Sequence, residues 1–124
     1  MKVLVVDDDP VVLRVTEAVL RGLGHEVVTR DHALGTTVAI SREQPDVALI
    51  DIEMPGLQGD KLVRIAQRKK VMGPSRETAF IFYSGRDPED LKRLVEKTGA
   101  VGAIDKASGP TGLAEQFNEI VSKL

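Results

Sequence analysis

The chain has 124 residues, with 17 basic against 19 acidic residues and no cysteine. A chain of this length folds as one ordinary domain without cofactors, and the lack of cysteine excludes disulfides, thiol catalysis and cysteine-based zinc sites. The formal charge of −2 shows no excess of positive charge of the kind that binds nucleic acid. No apolar run approaches the roughly 18 residues of a membrane helix. We therefore expect a single cytoplasmic domain over residues 1–124 that binds neither nucleic acid nor membrane.

Apolar runs alternate with helical patterns along the first half of the chain. Residues 3–6 predict a strand, and Asp9-Pro10 predicts the start of a helix, because aspartate caps helices and proline favours their first turn. The apolar positions at helical spacing in this helix are Val12, Val15, Val19 and Leu23. A weaker strand over residues 25–29 precedes a helix that Asp31 can cap and that extends to about Glu43. Its expected inner positions are Leu34, Val38, Ala39 and Ile40.

The same alternation continues in the second half. Strands are predicted over residues 47–50, 79–83 and 100–104. Helices are predicted from Asp60, from Asp87-Pro88 and from about Pro110. The expected inner positions of these three helices are Leu62, Ile65 and Ala66, then Leu91, Leu94 and Val95, and finally Leu113, Phe117, Ile120, Val121 and Leu124.

Five strands that alternate with five helices predict an α/β fold, a doubly wound parallel sheet with helices on both faces. No glycine-rich dinucleotide motif follows the first strand. The flavodoxin-like strand order 2-1-3-4-5 is therefore favoured, and it places the ligand crevice between strands 1 and 3.

Chemically reactive residues follow several of these strands. Asp7 and Asp8 follow the first strand, Asp51 the third, Ser84 the fourth and Lys106 the fifth. Parallel strands bring their carboxyl ends to one edge, so the sequence predicts that these side chains meet there. Converging carboxylates repel one another and need a cation, and an all-oxygen set of ligands suits Mg²⁺ or Mn²⁺.

Two simpler interpretations of these acids stay open. Asp51 can be a turn cap, as most acids after a strand are, and residues 7–9 can be a solvated strand end whose Asp9 caps the next helix. The second interpretation leaves Asp7 and Asp8 without a purpose. A metal beside Asp51, a cation from Lys106 and a hydroxyl from Ser84 are instead the groups required to transfer a phosphoryl group onto a carboxylate.

Taken together, these motifs resemble the receiver domain of bacterial two-component response regulators, of the chemotaxis-regulator type, over the whole chain. The motifs are Val5-Val6-Asp7-Asp8, Leu49-Ile50-Asp51, Met54-Pro55-Gly56 through Gly59, Tyr83-Ser84-Gly85 and Lys106. A single one of them is weak evidence, but the combination is specific.

The resemblance implies a role for each residue. Asp51 is expected to accept a phosphoryl group from a histidine kinase or a phosphotransfer protein. Asp7, Asp8 and Asp51 are expected to hold Mg²⁺ (or Mn²⁺) with the backbone carbonyl of Glu53, while Ser84 bonds the phosphoryl group and Lys106 pairs with it. Such a domain is not an enzyme in the usual sense, although it assists its own phosphorylation and dephosphorylation. We expect no output domain, a monomer or weak dimer, and an unknown downstream protein target.

The sequence departs from the family pattern at two positions. Ala103 stands three residues before the lysine, where receiver domains commonly carry a Tyr or Phe that rotates on activation. Ala107 stands where the family usually has proline behind a cis bond; because a cis bond before another residue costs about 3 kcal/mol, we expect Lys106-Ala107 to be trans. Tyr83 directly precedes Ser84 and so points to the opposite face of its strand.

Two other function classes compete with this interpretation. Asp7-Asp8-Asp9-Pro10-Val11 also fits the D-x-D-x-V motif of haloacid-dehalogenase-like phosphatases, which would make Asp7 the nucleophile and Asp9 the acid. Asp87 and Asp90 are poor candidates for that family's later acidic pair, and the motif leaves Asp51 unexplained. The other alternative is a receiver-like module that binds partners without being phosphorylated. His25 and His32 are assigned no function.

Overall fold

The computed structural model describes residues 1–32, 35–54 and 78–124. The described strands are β1 (Lys2–Val6), β2 (Glu26–Arg30), β3 (Val47–Ile50), β4 (Ala79–Ser84) and β5 (Gly102–Asp105). The described helices are α1 (Pro10–Gly22), α2 (Thr36–Glu43), α3 (Pro88–Thr98) and α4 (Gly109–Val121), and a 3₁₀ turn occupies Lys106–Ser108. The helix predicted from Asp60 and most of the Met54-to-Gly59 motif lie outside the described residues.

The five strands form one parallel sheet in the order β2-β1-β3-β4-β5. This confirms the predicted α/β fold and its flavodoxin-like strand order. The central strands β1 and β3 lie side by side, with Val5 paired to Leu49 and Val6 to Ile50. Both strands are nearly continuous apolar runs because helices cover both faces of the sheet.

Successive residues of each strand contribute to different faces of the sheet, and each face has its own apolar core. One core joins Val5, Leu49, Ile81 and Ile104 to the inner positions of α1 and α4, among them Leu20 and Phe117. The other joins Val6, Ile50 and Phe82 to Ala39 of α2 and Leu91 of α3. This division places Tyr83 and Ile104 on one face of the sheet and Phe82 on the other.

Helix α1 begins as predicted, with the Asp9 carboxylate accepting a hydrogen bond from Val11 N at 2.9 Å. Its buried positions, however, are Leu13, Thr16 and Leu20. The predicted positions Val12, Val19 and Leu23 pack at one edge of this stripe. Val15 lies beyond that edge and is 41% exposed, so its prediction as an inner residue is wrong.

The start of α2 was also predicted wrongly. The helix begins at Thr36, after Gly35 in a left-handed conformation with φ 80°, and Asp31 therefore does not cap it. Val38 is 62% exposed, whereas Ala39 is buried and Ile40 packs against the core. Leu34 lies outside the described residues. In helices α3 and α4 the predicted positions Leu91, Leu113 and Phe117 are buried. The other predicted positions are partly buried and pack against the cores, namely Leu94, Val95, Ile120 and Val121, whereas Leu124 lies past the end of α4 and is exposed.

No helix in the described part of the chain combines the length and the apolar character needed to cross a membrane.

Candidate functional site

Asp7 and Asp51 are brought together by the pairing of β1 with β3. The strand ladder continues past the ends of both strands, because Asp51 N donates to Val6 O at 2.9 Å and Asp7 N donates to Arg30 O at 3.1 Å. Asp7 is fully buried, and Asp51 is 5% exposed. Asp8 is exposed, but its carboxylate still reaches the other two, and one oxygen from each of the three lies within 4.8 Å of the others.

Backbone amides fix the orientation of both buried carboxylates. Asp9 N donates to Asp7 Oδ1 at 2.9 Å, and Glu53 N donates to Asp51 Oδ1 at 2.9 Å. In each case the donor lies two residues after the acceptor, so the turn that follows the strand holds the carboxylate. The remaining oxygen, Oδ2, of each residue then faces the interior of the site.

Lys106 supplies the positive charge at this point. Its Nζ lies 2.7 Å from Asp7 Oδ2 and 3.2 Å from Asp51 Oδ2. The side chain is 24% exposed. Burial lowers the pKa of Lys106, but its bonds and charge interactions with Asp7 and Asp51 outweigh this and leave the pKa raised. Lys106 is therefore an ammonium ion at neutral pH and offsets the repulsion between the two acids.

Burial raises the pKa of Asp7, although the Lys106 ammonium and the Asp9 amide act in the opposite direction. The ionised Asp7 is thus kept at a cost in stability. Such costs are typical of functional sites, where a residue serves a ligand better than it serves the fold.

Without Mg²⁺, Asp7→Asn is expected to raise the free energy of unfolding at pH 7 by on the order of 1 kcal/mol. The pKa of Asp7 is higher in the folded than in the unfolded protein. Its contribution to stability is therefore full below the ordinary aspartate value of about 3.9 and is lost as the pH rises through the raised pKa. Urea denaturation in EDTA should give similar stabilities near pH 4 and a gap that widens toward pH 7.

The matched control for this comparison is Asp8→Asn, because Asp8 belongs to the same cluster but is exposed. We expect a much smaller change for this variant. A gap between the wild type and Asp7→Asn that stays constant from pH 4 to pH 7 would contradict the assignment of the stability cost to Asp7.

Ser84 ends β4 and is fully buried. Its Oγ accepts a hydrogen bond from Arg86 N at 3.1 Å, which leaves the hydroxyl proton available to another acceptor. In the register of the sheet, Ser84 pairs with Asp105 of β5, one residue before Lys106. The hydroxyl thus lies at the same carboxyl edge of the sheet as the other predicted site residues.

Tyr83 belongs to the site as well, which the sequence analysis missed. Its ring is almost fully buried, and Lys106 Nζ lies over the ring at 5.5 Å from the centroid. The alternation of faces contained the signal: Tyr83 points away from Ser84, and that is the face of Ile104 and therefore also of Lys106 two residues later.

Glu53 and Arg86 form an ion pair that links the segments after β3 and β4. Arg86 Nε lies 3.2 Å from Glu53 Oε1, and the side chains are 46% and 50% exposed. Each stands two residues after a site residue, Arg86 after Ser84 and Glu53 after Asp51. The pair is exposed and contributes only about 0 to 1 kcal/mol to stability, so its position matters more than its strength.

The turn after β5 determines the position of the Lys106 backbone. The Lys106-Ala107 bond is trans, which confirms the prediction. Ala107 N donates to Asp105 Oδ1 at 2.9 Å, and Ser108 Oγ donates to Asp105 O at 2.6 Å. The side chains of Asp105 and Ser108 therefore stabilise the turn that contains Ala107.

Ala103 lies on β5 and is half-buried. It lines a groove of about 400 Å³ between α3, β5 and α4. The groove is lined by Pro88, Leu91, Lys92, Val95, Gly102, Ala103, Asp105 and Gln116. A methyl group therefore faces open space here, and the position has no aromatic ring to rotate.

The three carboxylates form a set of hard oxygen ligands, the kind that Mg²⁺ and Mn²⁺ bind. One oxygen from each of the three residues lies within 4.8 Å of the other two, so the residues present fit such an ion. Asp9 and Asp87, which the phosphatase alternative would use, each cap a helix.

A model of the response regulator receiver domain matches residues 3–118. The chain belongs to this family. The predicted resemblance is thus confirmed. Receiver domains are phosphoacceptors of two-component and chemotaxis signalling and are not classical enzymes. The family binds Mg²⁺ in an acidic pocket.

Individual relatives agree with the family assignment. Protein PilH from Pseudomonas aeruginosa is 42% identical to this receiver domain over 122 residues, which are 98% of both chains. The solved structure of the chemotaxis response regulator CheY4 of Vibrio cholerae gives a TM-score of 0.82 at 22% identity and covers 96% of this chain and 97% of that chain. The BeF3-activated N-terminal receiver domain of Klebsiella pneumoniae RstA gives 0.80 at 26% identity, with 95% and 96% covered.

Proposed function

We propose that this receiver domain accepts a phosphoryl group on Asp51 from a histidine kinase or a phosphotransfer protein, in a reaction that depends on Mg²⁺. The observation that carries the proposal is the position of Asp51 Oδ2. This oxygen lies 3.2 Å from Lys106 Nζ, in a carboxylate that is buried yet close to Asp7 and Asp8. A carboxylate serving only as a turn cap would not need an ammonium beside its second oxygen.

Asp7, Asp8, Asp51 and the backbone carbonyl of Glu53 would hold the metal. Bound there, Mg²⁺ neutralises charge on the oxygens of the transferring phosphoryl group. The bond between phosphorus and the donor breaks while an oxygen of Asp51 bonds to phosphorus, and the donor leaves with the electron pair of the broken bond. The product is an acyl phosphate on Asp51.

Ser84 and Lys106 would stabilise that product and the transition state before it. The Ser84 oxygen already accepts the Arg86 amide proton, so its own proton can be donated to a phosphoryl oxygen. The Lys106 ammonium, which lies beside the Asp51 carboxylate, would then donate its hydrogen bond to an oxygen of the phosphoryl group on Asp51. Both groups are fixed by the ends of β4 and β5, and such preorganised donors are the strongest contributors to stabilising developing negative charge.

Incubation with acetyl phosphate tests the proposal directly. With Mg²⁺ present, intact-mass spectra should show one added phosphoryl group that is lost in acid, and EDTA should prevent its addition. No phosphorylation with acetyl phosphate or with a cognate kinase would instead favour the alternative, a module that binds partners without being phosphorylated. A pull-down with and without a beryllofluoride phosphoryl mimic would then identify any downstream partner and show whether its binding depends on the site.

The Glu53–Arg86 pair is expected to lengthen the lifetime of the phosphoaspartate. Hydrolysis needs a water molecule in line with the phosphorus, and this exposed pair beside Asp51 and Ser84 would obstruct its approach. Replacing both residues by serine should speed the loss of the phosphoryl group by up to about fivefold, since an exposed pair is worth at most about 1 kcal/mol. The measurement is the decay of the phosphorylated mass after removal of the donor.

The charge-swapped double variant, Glu53→Arg with Arg86→Glu, is the control. It keeps an ion pair between these two positions and should decay at nearly the wild-type rate. Slower or unchanged decay in the double serine variant would count against the obstruction of water by this pair. Neither variant removes the Glu53 backbone carbonyl, so the proposed metal site keeps that ligand.

A further inference from the structure

In the described part of the chain, three groups lie close to the Lys106 ammonium, and two of them are carboxylates. The third is the ring of Tyr83, with its centroid 5.5 Å from Nζ. This distance is within the about 6 Å at which a cation is attracted to the face of an aromatic ring. The contact follows from the sheet register, in which Tyr83 pairs with Ile104 and Lys106 follows two residues later on the same face.

The ring is held firmly in place. Tyr83 is 7% exposed and lies in the core formed with Leu13 of α1 and with Leu113 and Phe117 of α4. Burial raises the pKa of Tyr83, so the phenol stays neutral and its ring carries no charge that would compete with the carboxylates. A fixed aromatic face beneath a flexible lysine restricts where the ammonium can go.

The two carboxylate neighbours are both needed elsewhere in the proposed reaction. Asp51 Oδ2 is one of the two oxygens that can receive the phosphoryl group, and Asp7 Oδ2 is the Asp7 oxygen left over for a metal, because Oδ1 accepts from Asp9 N. The Tyr83 ring has no such second use. It is therefore the contact that can persist when the Lys106 ammonium turns from the carboxylates toward the phosphoryl group.

We infer that Tyr83 is a positioning residue for Lys106. The face of the Tyr83 ring holds the Lys106 ammonium beside Asp51 during phosphoryl transfer. The inference rests on the proposed function of Asp51, but the contact itself exists without any phosphodonor. Two measurements therefore test the inference about Tyr83 and the proposed function of Asp51 separately. One is the state of Lys106 in the unphosphorylated protein, and the other is the rate of phosphorylation.

Two substitutions at Tyr83 divide the ring from the rest of the side chain. Tyr83→Phe keeps the ring face and loses only the hydroxyl, whereas Tyr83→Leu keeps apolar volume and loses the face. With acetyl phosphate and Mg²⁺ we expect Tyr83→Phe to react at close to the wild-type rate and Tyr83→Leu to be slower by about twofold to fivefold. Equal rate losses in the two variants would overturn the inference, since the ring face would then not matter.

The second measurement is made without Mg²⁺ or donor. In the NMR spectra of the wild type and of Tyr83→Phe, the Lys106 side-chain signals should carry the ring-current shift of a group above an aromatic face, and Tyr83→Leu should lose it. Absence of that shift in the wild type would overturn the inference. Its presence in a protein that acetyl phosphate fails to label would reject the proposed function while supporting the lysine–ring contact.

A third variant covers the case in which Tyr83→Leu does not fold. The chain has one tyrosine and no tryptophan, so its intrinsic emission reports Tyr83 alone. Lys106→Met removes the ammonium and leaves the core intact, and it should change the tyrosine emission. Lys92→Met, on α3, is the matched control and should leave the emission as it is. Identical emission from the wild type and Lys106→Met would count against the contact.

Discussion

Asp51→Asn is expected to abolish phosphorylation by acetyl phosphate, with no added mass even at long incubation. The amide lacks the nucleophilic carboxylate oxygen. Asp7 is also buried beside Lys106 and the other two carboxylates, so labelling of Asp51→Asn decides between these two acids. The substitution preserves the shape of the side chain and the acceptor for Glu53 N. Loss of labelling would therefore report the chemistry of Asp51 and not a collapse of the turn.

Two further variants sharpen this experiment. Asp90→Asn, on the exposed surface of α3, should be labelled like the wild type. Asp7→Asn should be labelled more weakly and should need more Mg²⁺, because it removes one expected metal ligand and keeps the acceptor. A phosphoryl group found on Asp7 would contradict the assignment and favour the phosphatase-type nucleophile, and full labelling of Asp51→Asn would reject Asp51 as the acceptor.

The fold and the convergence of the site could be predicted from the sequence because both depend on strands that are buried on both faces. The uninterrupted apolar runs that end at Val6 and Ile50 have no other plausible environment, and parallel pairing then places Asp7 next to Asp51. Lys106 lies at the same edge because it follows β5, a parallel strand of the same sheet. These predictions need only the position of each residue in its strand, and not the exact start of a helix.

Helix faces were less predictable, for a physical reason. Val15 and Val38 are apolar and lie within helices, but valine tolerates exposure, and hydrophobic residues at the surface are common. In α2 the left-handed Gly35 delays the start of the helix, and a shift in where a helix begins changes which residues face the sheet. Aspartate is a good capping residue, which favoured Asp31 in the prediction. The backbone conformation of Gly35 instead sets the start of the helix at Thr36.

The contact of Tyr83 with Lys106 could not be predicted from β4 alone. The alternation along this strand shows only that Tyr83 points away from Ser84. Which face that is becomes known only with the register of β4 on β5, where Tyr83 pairs with Ile104. Register between strands far apart in sequence is set by the packing of the whole sheet, so a single strand cannot reveal it.

Lys106→Met is expected to slow phosphorylation from acetyl phosphate by about a hundredfold, the usual effect of removing one preorganised donor from a site of developing negative charge. Methionine keeps the length and apolar stem of the side chain and removes the ammonium. Asp51 remains in place in this variant, so slow labelling of the same residue is predicted, in contrast to the complete loss in Asp51→Asn. The rate is measured by intact mass under saturating Mg²⁺, with Lys92→Met as the control lysine.

The same variant should be less stable in EDTA. The raised pKa of Lys106 means that its stabilising charge is fully present at pH 7 and is lost only as the pH rises through that pKa. Its removal leaves the Asp7 and Asp51 carboxylates without their cation; because the lysine is partly exposed, we expect a loss of about 1 to 2 kcal/mol, less than for a fully buried pair.

Mg²⁺ distinguishes the two consequences of Lys106→Met. A metal ion held by Asp7, Asp8 and Asp51 supplies the missing positive charge, so Mg²⁺ should stabilise this variant more than it stabilises the wild type, while the phosphorylation rate stays low. Urea denaturation with and without Mg²⁺ measures the first effect. If Mg²⁺ restored the rate as well as the stability, Lys106 would serve only to balance charge in the resting site and would have no part in the transfer.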